Sequence, residues 1–195
     1  MKVLGLMSGT SMDGLDCCYT DINIDKNNNL KFKIIKYQII PFNSKIKNNI
    51  KQIIGKNDKD LILECHNKLG IVFLDIVKKF IGKNRIQLIA MHGQTISHID
   101  KIKTHQIGSP IYLSEYFKVP VIYDFRSKDL LLGGNGAPLV PYLDWLLSKK
   151  HDKNILTLNL GGIANITYIP FDSNRDKVIG FDTGPGMCLI DQFVQ

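Results

Sequence analysis

No apolar run in this 195-residue chain approaches the ~20 residues that a membrane-spanning helix needs. The start, Lys2 to Met7, is too short for a secretory signal and lacks a small-residue cleavage site. The cysteines Cys17, Cys18, Cys65 and Cys188 form no Cys-x-x-Cys pair. They read as reduced, partly buried thiols of a cytoplasmic protein, with Cys17 and Cys18 on opposite faces of a strand. There is no arginine cluster and no basic stretch interleaved with aromatics. The net charge of +7 is therefore read as a solvated lysine surface, because the lysines are scattered through segments such as Ile46–Ile54 that are rich in Ile and Asn. Neither a membrane nor a nucleic acid is expected as a partner.

What is present is a chain with 44% hydrophobic residues, enough for a real core and too many for disorder. Its length suits one domain, or one and a fraction. The start carries the most information. Val3 to Met7 reads as a buried strand, Ser8-Gly-Thr-Ser-Met-Asp-Gly14 as a turn, and Leu15 to Ile24 as a second strand. The two glycines allow close approach of a ligand, and two hydroxyls and a carboxylate stand between them. Exposed amides with hydroxyls suit phosphate oxygens, and Asp13 or Asp16 could hold Mg²⁺ through water. This is not a Walker loop, since no Gly-Lys-Ser/Thr follows. Gly-Thr-Ser-Met also surrounds the nucleophile of subtilisin-like proteases, but their Asp and His must precede the serine and only a short segment precedes Ser11. A glycine-rich hairpin without any ligand remains the plain alternative.

Farther along, Phe32 to Phe42 reads as a strand, and Asn43 or Ser44 as the cap of a helix through Ile54. A longer helix is expected over Lys59 to Ile81, because Leu69, Val72, Phe73, Ile76, Val77 and Phe80 form one apolar stripe. Ile86 to Met91 reads as a buried strand ending at His92-Gly-Gln-Thr95. Ser109-Pro110 opens a helix through Lys118, with Ser109 as cap and Pro110 as first residue. Val119 to Tyr123 is the next strand, 132–138 a loop, and Val140 to Lys149 a helix. Residues 155–169 then repeat the strand, glycine turn, strand layout of the start, which suggests two domains on one plan. Lys177 to Phe181 reads as a strand ending at Asp182-Thr-Gly-Pro-Gly186, before a helix over Met187 to Val194. The expected division is 1–131 and 132–195, the second part too small to close a core by itself.

Six segments occur in order: Gly5-Leu-Met-Ser-Gly-Thr-Ser-Met-Asp-Gly-Leu-Asp16, His92-Gly-Gln-Thr95, Asp124-Phe-Arg126, Gly134-Asn-Gly-Ala-Pro-Leu-Val-Pro141, Asn159-Leu-Gly-Gly-Ile-Ala-Asn-Ile-Thr167 and Phe181-Asp-Thr-Gly-Pro-Gly186. Each alone is weak. Together they make the chain resemble the anhydro-N-acetylmuramic acid kinases of bacteria, in the actin/Hsp70/sugar-kinase superfamily. The resemblance implies an α/β, ribonuclease-H-like fold with two such domains and an active site between them. Family chains are about twice this long, so the expectation is a truncated chain: the first domain and the start of the second.

The activity implied is the ATP-dependent, hydrolytic opening of 1,6-anhydro-N-acetylmuramic acid and its phosphorylation at O6, a step of peptidoglycan recycling. The resemblance makes Asp182 the base that takes a proton from water; its plain alternative is a helix cap. Gly9, Thr10, Ser11, Met12, Asp13, Gly14, Leu15 and Asp16 would cradle ATP phosphates, with Mg²⁺ held by Asp13 or Asp16 through water. Asn159, Gly161 and Gly162 match a second phosphate-facing hairpin. His92, Gln94, Arg126, Thr183 and Gly184 are the expected sugar contacts. Arg126 could fork onto the lactyl carboxylate or pair with Asp124 or Asp129. His92 could equally be structural. The resemblance also allows a homodimer, though the missing half should hold much of that surface. Where the family usually has Asn after Asp-Thr-Gly-Pro-Gly, this chain has Met187. Two further readings stay open: a catalytically inactive fragment that holds sugar or phosphate weakly, and a non-catalytic nucleotide-binding module of the same superfamily.

Overall fold

The computed structural model describes residues 1–26, 29–148 and 152–194. The chain divides into two compact units, Met1–Ile99 with Lys103–Ser127, and Asp100–Ile102 with Lys128–Gln195.

The first unit is built on β1 (Lys2–Ser8), β2 (Gly14–Ile24) and β3 (Leu30–Pro41), which pair antiparallel in succession. After α1 (Ser44–Ile53) and α2 (Lys59–Ile81) comes β4 (Leu88–Ile99), laid parallel beside β1. β5 (Lys103–Ile107) folds back on the second half of β4, and α3 (Ile111–Phe117) leads to β6 (Val121–Tyr123), parallel to the first half of β4. The sheet order is β3-β2-β1-β4-β5, with β6 also on β4.

Alternation makes β2 two-faced: Leu15, Cys17 and Tyr19 are buried and meet Phe73, Val77 and Phe80 from α2 in one core with Leu4, Leu6 and Ile89. Burying a large apolar side chain in such a core stabilises by about 1.5–3 kcal/mol. Phe42 stacks on Phe73, centroids 6.3 Å apart. Burial, with Asp16 and Cys18 beside it, pushes the Cys17 thiol up to about 12, so it stays protonated. Asn43 caps α1 by accepting from the Ile46 N–H at 3.0 Å, and Asp58 caps α2 by accepting from the Leu61 N–H at 3.0 Å. Gly82 ends α2 at φ +57°, donating its N–H to the Lys78 carbonyl.

In the second unit, α5 (Val140–Ser148) lies on an antiparallel sheet of β7 (Ile155–Leu160), β8 (Ile163–Ile169) and β9 (Ile179–Pro185), and α6 (Met187–Val194) follows. Asp144 of α5 accepts from the hydroxyls of Thr157 at 2.5 Å and Thr167 at 2.8 Å, tying the helix to two adjacent strands. The β7-β8-β9 meander has the strand order and sense of β1-β2-β3, as the repeated glycine hairpin implied. The face of β7 away from α5 is bare: Leu156, Leu158 and Leu160 are 65%, 59% and 59% exposed.

Several elements depart from the sequence reading. β4 does not stop at Met91 but continues to Ile99, because β5, which was not foreseen, supplies it with antiparallel partners from Gln94 onward. The short α4 (Ser127–Leu131) was also unforeseen. The strand expected over Lys177 to Phe181 is β9, Ile179–Pro185, preceded by a 3-10 turn at Arg175–Lys177. Pro110 has helical dihedrals, but no side chain caps α3, so Ser109 does not play that part. The helix begun at Val140 reaches Ser148; Lys149, its expected end, lies outside the described residues.

Candidate functional site

In the first unit, Gly9 to Asp13 form the link between β1 and β2, and Met12 closes a tight turn by donating its N–H to the Gly9 carbonyl at 3.1 Å. Met12 takes φ +55° there. Thr10, Ser11 and Asp13 are exposed, whereas Gly14 and Leu15 are buried. The turn thus offers two hydroxyls and a carboxylate to solvent from a strand pair fixed in the core. Asp16, on the open face of β2, accepts from the Tyr37 hydroxyl at 2.8 Å, and this pulls the phenol above its usual value.

Gln94 lies inside β4, not at a strand end, and is fully buried. Its Oε1 accepts from the Ser8 hydroxyl at 2.6 Å, and its Nε2 donates to the carbonyls of Gly9 at 3.0 Å and Thr95 at 3.2 Å. Those carbonyls accept only, which fixes the amide's orientation. Gln94 therefore braces the turn from the neighbouring strand. Gln94→Ala should leave the Gly9 carbonyl without this donor, at about 1–3 kcal/mol, while the Ser8 hydroxyl keeps the Gly14 carbonyl at 3.2 Å. An unchanged urea midpoint for the first unit would show that the brace carries no stability.

His92, also inside β4, is buried, and its Nδ1 lies 2.9 Å from the Gly93 carbonyl. Arg126, after β6, donates its Nε–H to His92 Nε2 at 2.9 Å. Burial, partly countered by the Gly93 carbonyl and reinforced by the Arg126 cation, holds the imidazole below its ordinary value. Beside them is a cavity of about 130 Å³ lined by His66, His105, Tyr123, Asp124 and Ser127 as well as His92. The Asp124 carboxylate accepts from the Ser127 N–H at 3.2 Å, and Asp129 accepts from the Gly136 N–H at 2.7 Å.

In the second unit, Asp182 sits within β9 and is exposed, well ahead of α6, so it does not cap that helix. Its direct cross-strand partner is Asn165, whose own partner on the other side is Asn159. One polar row, Asn159–Asn165–Asp182, thus crosses all three strands on the same face as Thr157 and Thr167. Asn165 was not singled out from the sequence; its distance from the glycine turn, matched with that of Asn159, is the signal that pairs them. Thr183 donates its hydroxyl to the Ala164 carbonyl at 3.1 Å, and Gly184 pairs with Ala164.

The glycine turn Gly161-Gly162 receives α6. Its carbonyls accept from the N–H groups of Met187 and Gly186, each at 2.9 Å. A Cβ on Gly186 would press on the Gly161 carbonyl and lie 3.0 Å from the Ala164 nitrogen. The approach therefore needs glycine at 186, while residue 187 takes part through its backbone and leaves its thioether partly exposed. The departure at Met187 leaves this joint intact.

A mixed sheet flanked by helices and a second glycine-hairpin meander with an exposed carboxylate define an α/β protein of the sugar-kinase/actin-like class. The chain matches the family described as anhydro-N-acetylmuramic acid kinase over residues 1–195 and belongs to it. Curated relatives bearing that name include proteins of Clostridioides difficile strain 630, 40% identical, and Bacillus cereus strain ATCC 10987, 38% identical. Both alignments cover 100% of this chain and 54% of the relative, so the chain spans about half the length of these relatives.

Among the described residues no helix is long and apolar enough to cross a membrane, and no three His, Cys, Asp or Glu side chains cluster as metal ligands.

Proposed function

We propose that this chain is the phosphate-binding and base-bearing part of a cytoplasmic kinase. That kinase opens 1,6-anhydro-N-acetylmuramic acid with water and transfers the ATP γ-phosphoryl group to the freed O6. The observation that carries the reading is the exposed Asp182 in a polar row with Asn159 and Asn165, in a chain of this family. Asp182 takes a proton from water as the water oxygen bonds to the anomeric carbon; the bond from that carbon to O6 breaks, and O6 attacks the γ-phosphorus with ADP leaving. General-base assistance of this kind is worth about 10²–10⁴ in rate.

The amides and hydroxyls of Gly9 to Ser11 suit phosphate oxygens, and the brace from Gln94 keeps the turn in place for them. Asp13 and Asp16 are too few to cage a cation on protein ligands alone, but they fit Mg²⁺ that keeps its waters and takes phosphate oxygens as well. Mg²⁺ bound there would neutralise phosphate charge. Leu15 anchors the turn through its buried side chain. Asn159, Gly161 and Gly162 form the matching hairpin of the second unit, and Thr183 and Gly184 flank the base. Arg126 is the group for the lactyl carboxylate of the sugar.

For residues 1–195 without further chain, the inactive reading is favoured, because they match only 54% of the kinases they resemble. Residues 1–195 should show no turnover alone. Fused to the C-terminal portion of the Clostridioides difficile relative, they should form N-acetylmuramic acid 6-phosphate from the anhydro sugar and ATP. A folded fusion that hydrolyses or transfers no phosphate would refute the kinase reading.

A further inference from the structure

Both ring nitrogens of His92 face a partner that can act in only one way. The Gly93 carbonyl, 2.9 Å from Nδ1, only accepts, so Nδ1 must carry the proton. Arg126 Nε, 2.9 Å from the other nitrogen, only donates, so Nε2 must be bare. We propose that His92 is a positioning residue for Arg126: fixed as the neutral Nδ1–H tautomer, it holds the guanidinium by its Nε2 and does not itself contact the sugar. The proposal rests on Arg126 as the carboxylate-binding group, but the tautomer and the pairing are measured without any sugar.

The geometry makes protonation of His92 and pairing with Arg126 mutually exclusive. A proton on Nε2 would point at the Arg126 Nε–H and bring two cations together at the same distance. The titratable neighbours around the cavity are His66 on α2, His105 on β5, and Tyr123 and Asp124 at the end of β6. His66 is itself held below its ordinary value, by burial and then by His105. Only Asp124 would favour an imidazolium, and its carboxylate is turned to the Ser127 N–H. The arginine end of the pair is set from β4, by a residue 34 positions away in sequence. Such a strut fixes direction, which a bidentate carboxylate contact requires more than charge alone.

The test uses residues 1–195 with ¹⁵N-labelled histidine and arginine. Long-range ¹H–¹⁵N spectra should show His92 neutral and in the Nδ1–H form through pH 6–8, the reverse of the tautomer that free imidazole side chains prefer. The Arg126 Nε–H should be protected from solvent exchange. His92→Phe should speed that exchange by roughly tenfold or more, and His92→Gln, whose Oε1 can accept, should restore protection. Arg126→Ala should keep the Nδ1–H form, which the Gly93 carbonyl still requires, but raise the pH at which Nε2 takes a proton, and serves if His92→Phe does not fold. An Nε2–H tautomer, an imidazolium at neutral pH, or Arg126 exchange unaffected by His92→Phe would each overturn the proposal. A correct tautomer in a fusion without kinase activity would instead count against the functional reading alone.

Discussion

Asp182→Asn, introduced into the fusion of residues 1–195 with the C-terminal portion of the Clostridioides difficile relative, is expected to lower turnover by about 10²–10⁴. ATP affinity should stay nearly unchanged. Asparagine keeps the shape of the side chain and its place opposite Asn165 in the β8-β9 register, so the fold has no reason to move. What is lost is the ability to accept a proton from water. Because phosphoryl transfer has no acceptor until the anhydro bridge opens, the hydrolytic and transfer steps should fall together, with no accumulation of unphosphorylated sugar. Product formation is followed by release of N-acetylmuramic acid 6-phosphate, and ATP affinity by titration. Turnover equal to that of the parent fusion would remove Asp182 from the role of base. Asn165→Ala is the companion measurement: a neighbour that only orients Asp182 should cost less than the loss of the carboxylate.

Gly14→Ala should destabilise the first unit by about 3 kcal/mol, at the upper end of what overpacking costs. Gly14 opens β2 directly opposite Pro41. A Cβ there would run into the Ile40 carbonyl and lie 2.8 Å from its carbon and 2.9 Å from Pro41 Cα. These are backbone atoms of a paired strand, so no rotamer change relieves the clash. β3 would have to separate from β2 where the Phe42 N–H reaches the Asp13 carbonyl at 2.9 Å, and the turn would be dragged along. Gly9→Ala is the control, because its nearest neighbour would be the Ser11 hydroxyl at 3.7 Å, an ordinary contact. Hydrogen exchange at the amides of Leu15 and Phe42 reads the difference locally, which matters because a chain of two units need not unfold in one step. Equal protection in the two variants would mean that the strands yield more easily than their pairing implies.

The parts of the fold that sequence could reveal are those written in local periodicity. The apolar stripe from Leu69 to Phe80 became α2, and all six of its residues are buried or half-buried. Residues 3–24 became a hairpin because an apolar run, a glycine turn and an alternating run follow one another without interruption. β5 was hidden for the opposite reason. Lys-Thr-His-Gln-Ile has one strong apolar residue, and only pairing with β4 makes it a strand. Gly93 made His92-Gly-Gln-Thr95 look like a loop, whereas β4 carries it at φ +78° and continues. The site divides along the same line. The loop motifs are local, so they stand in the sequence as they are. What their side chains hold could not be read there, since Gln94 meets Gly9 across 85 positions and Arg126 meets His92 across 34. Asn165 emerged only once the strands had a register.

The bare leucine row on β7 has a bearing on handling the protein. Ile155-Leu-Thr-Leu-Asn-Leu160 carries no charge and no proline, and β7 stands at the end of its sheet. An uncharged, proline-free strand of alternating leucines is a template on which identical strands can stack. Such a row would favour strand-to-strand association of residues 1–195 as concentration rises, so dilute, cold expression suits their study.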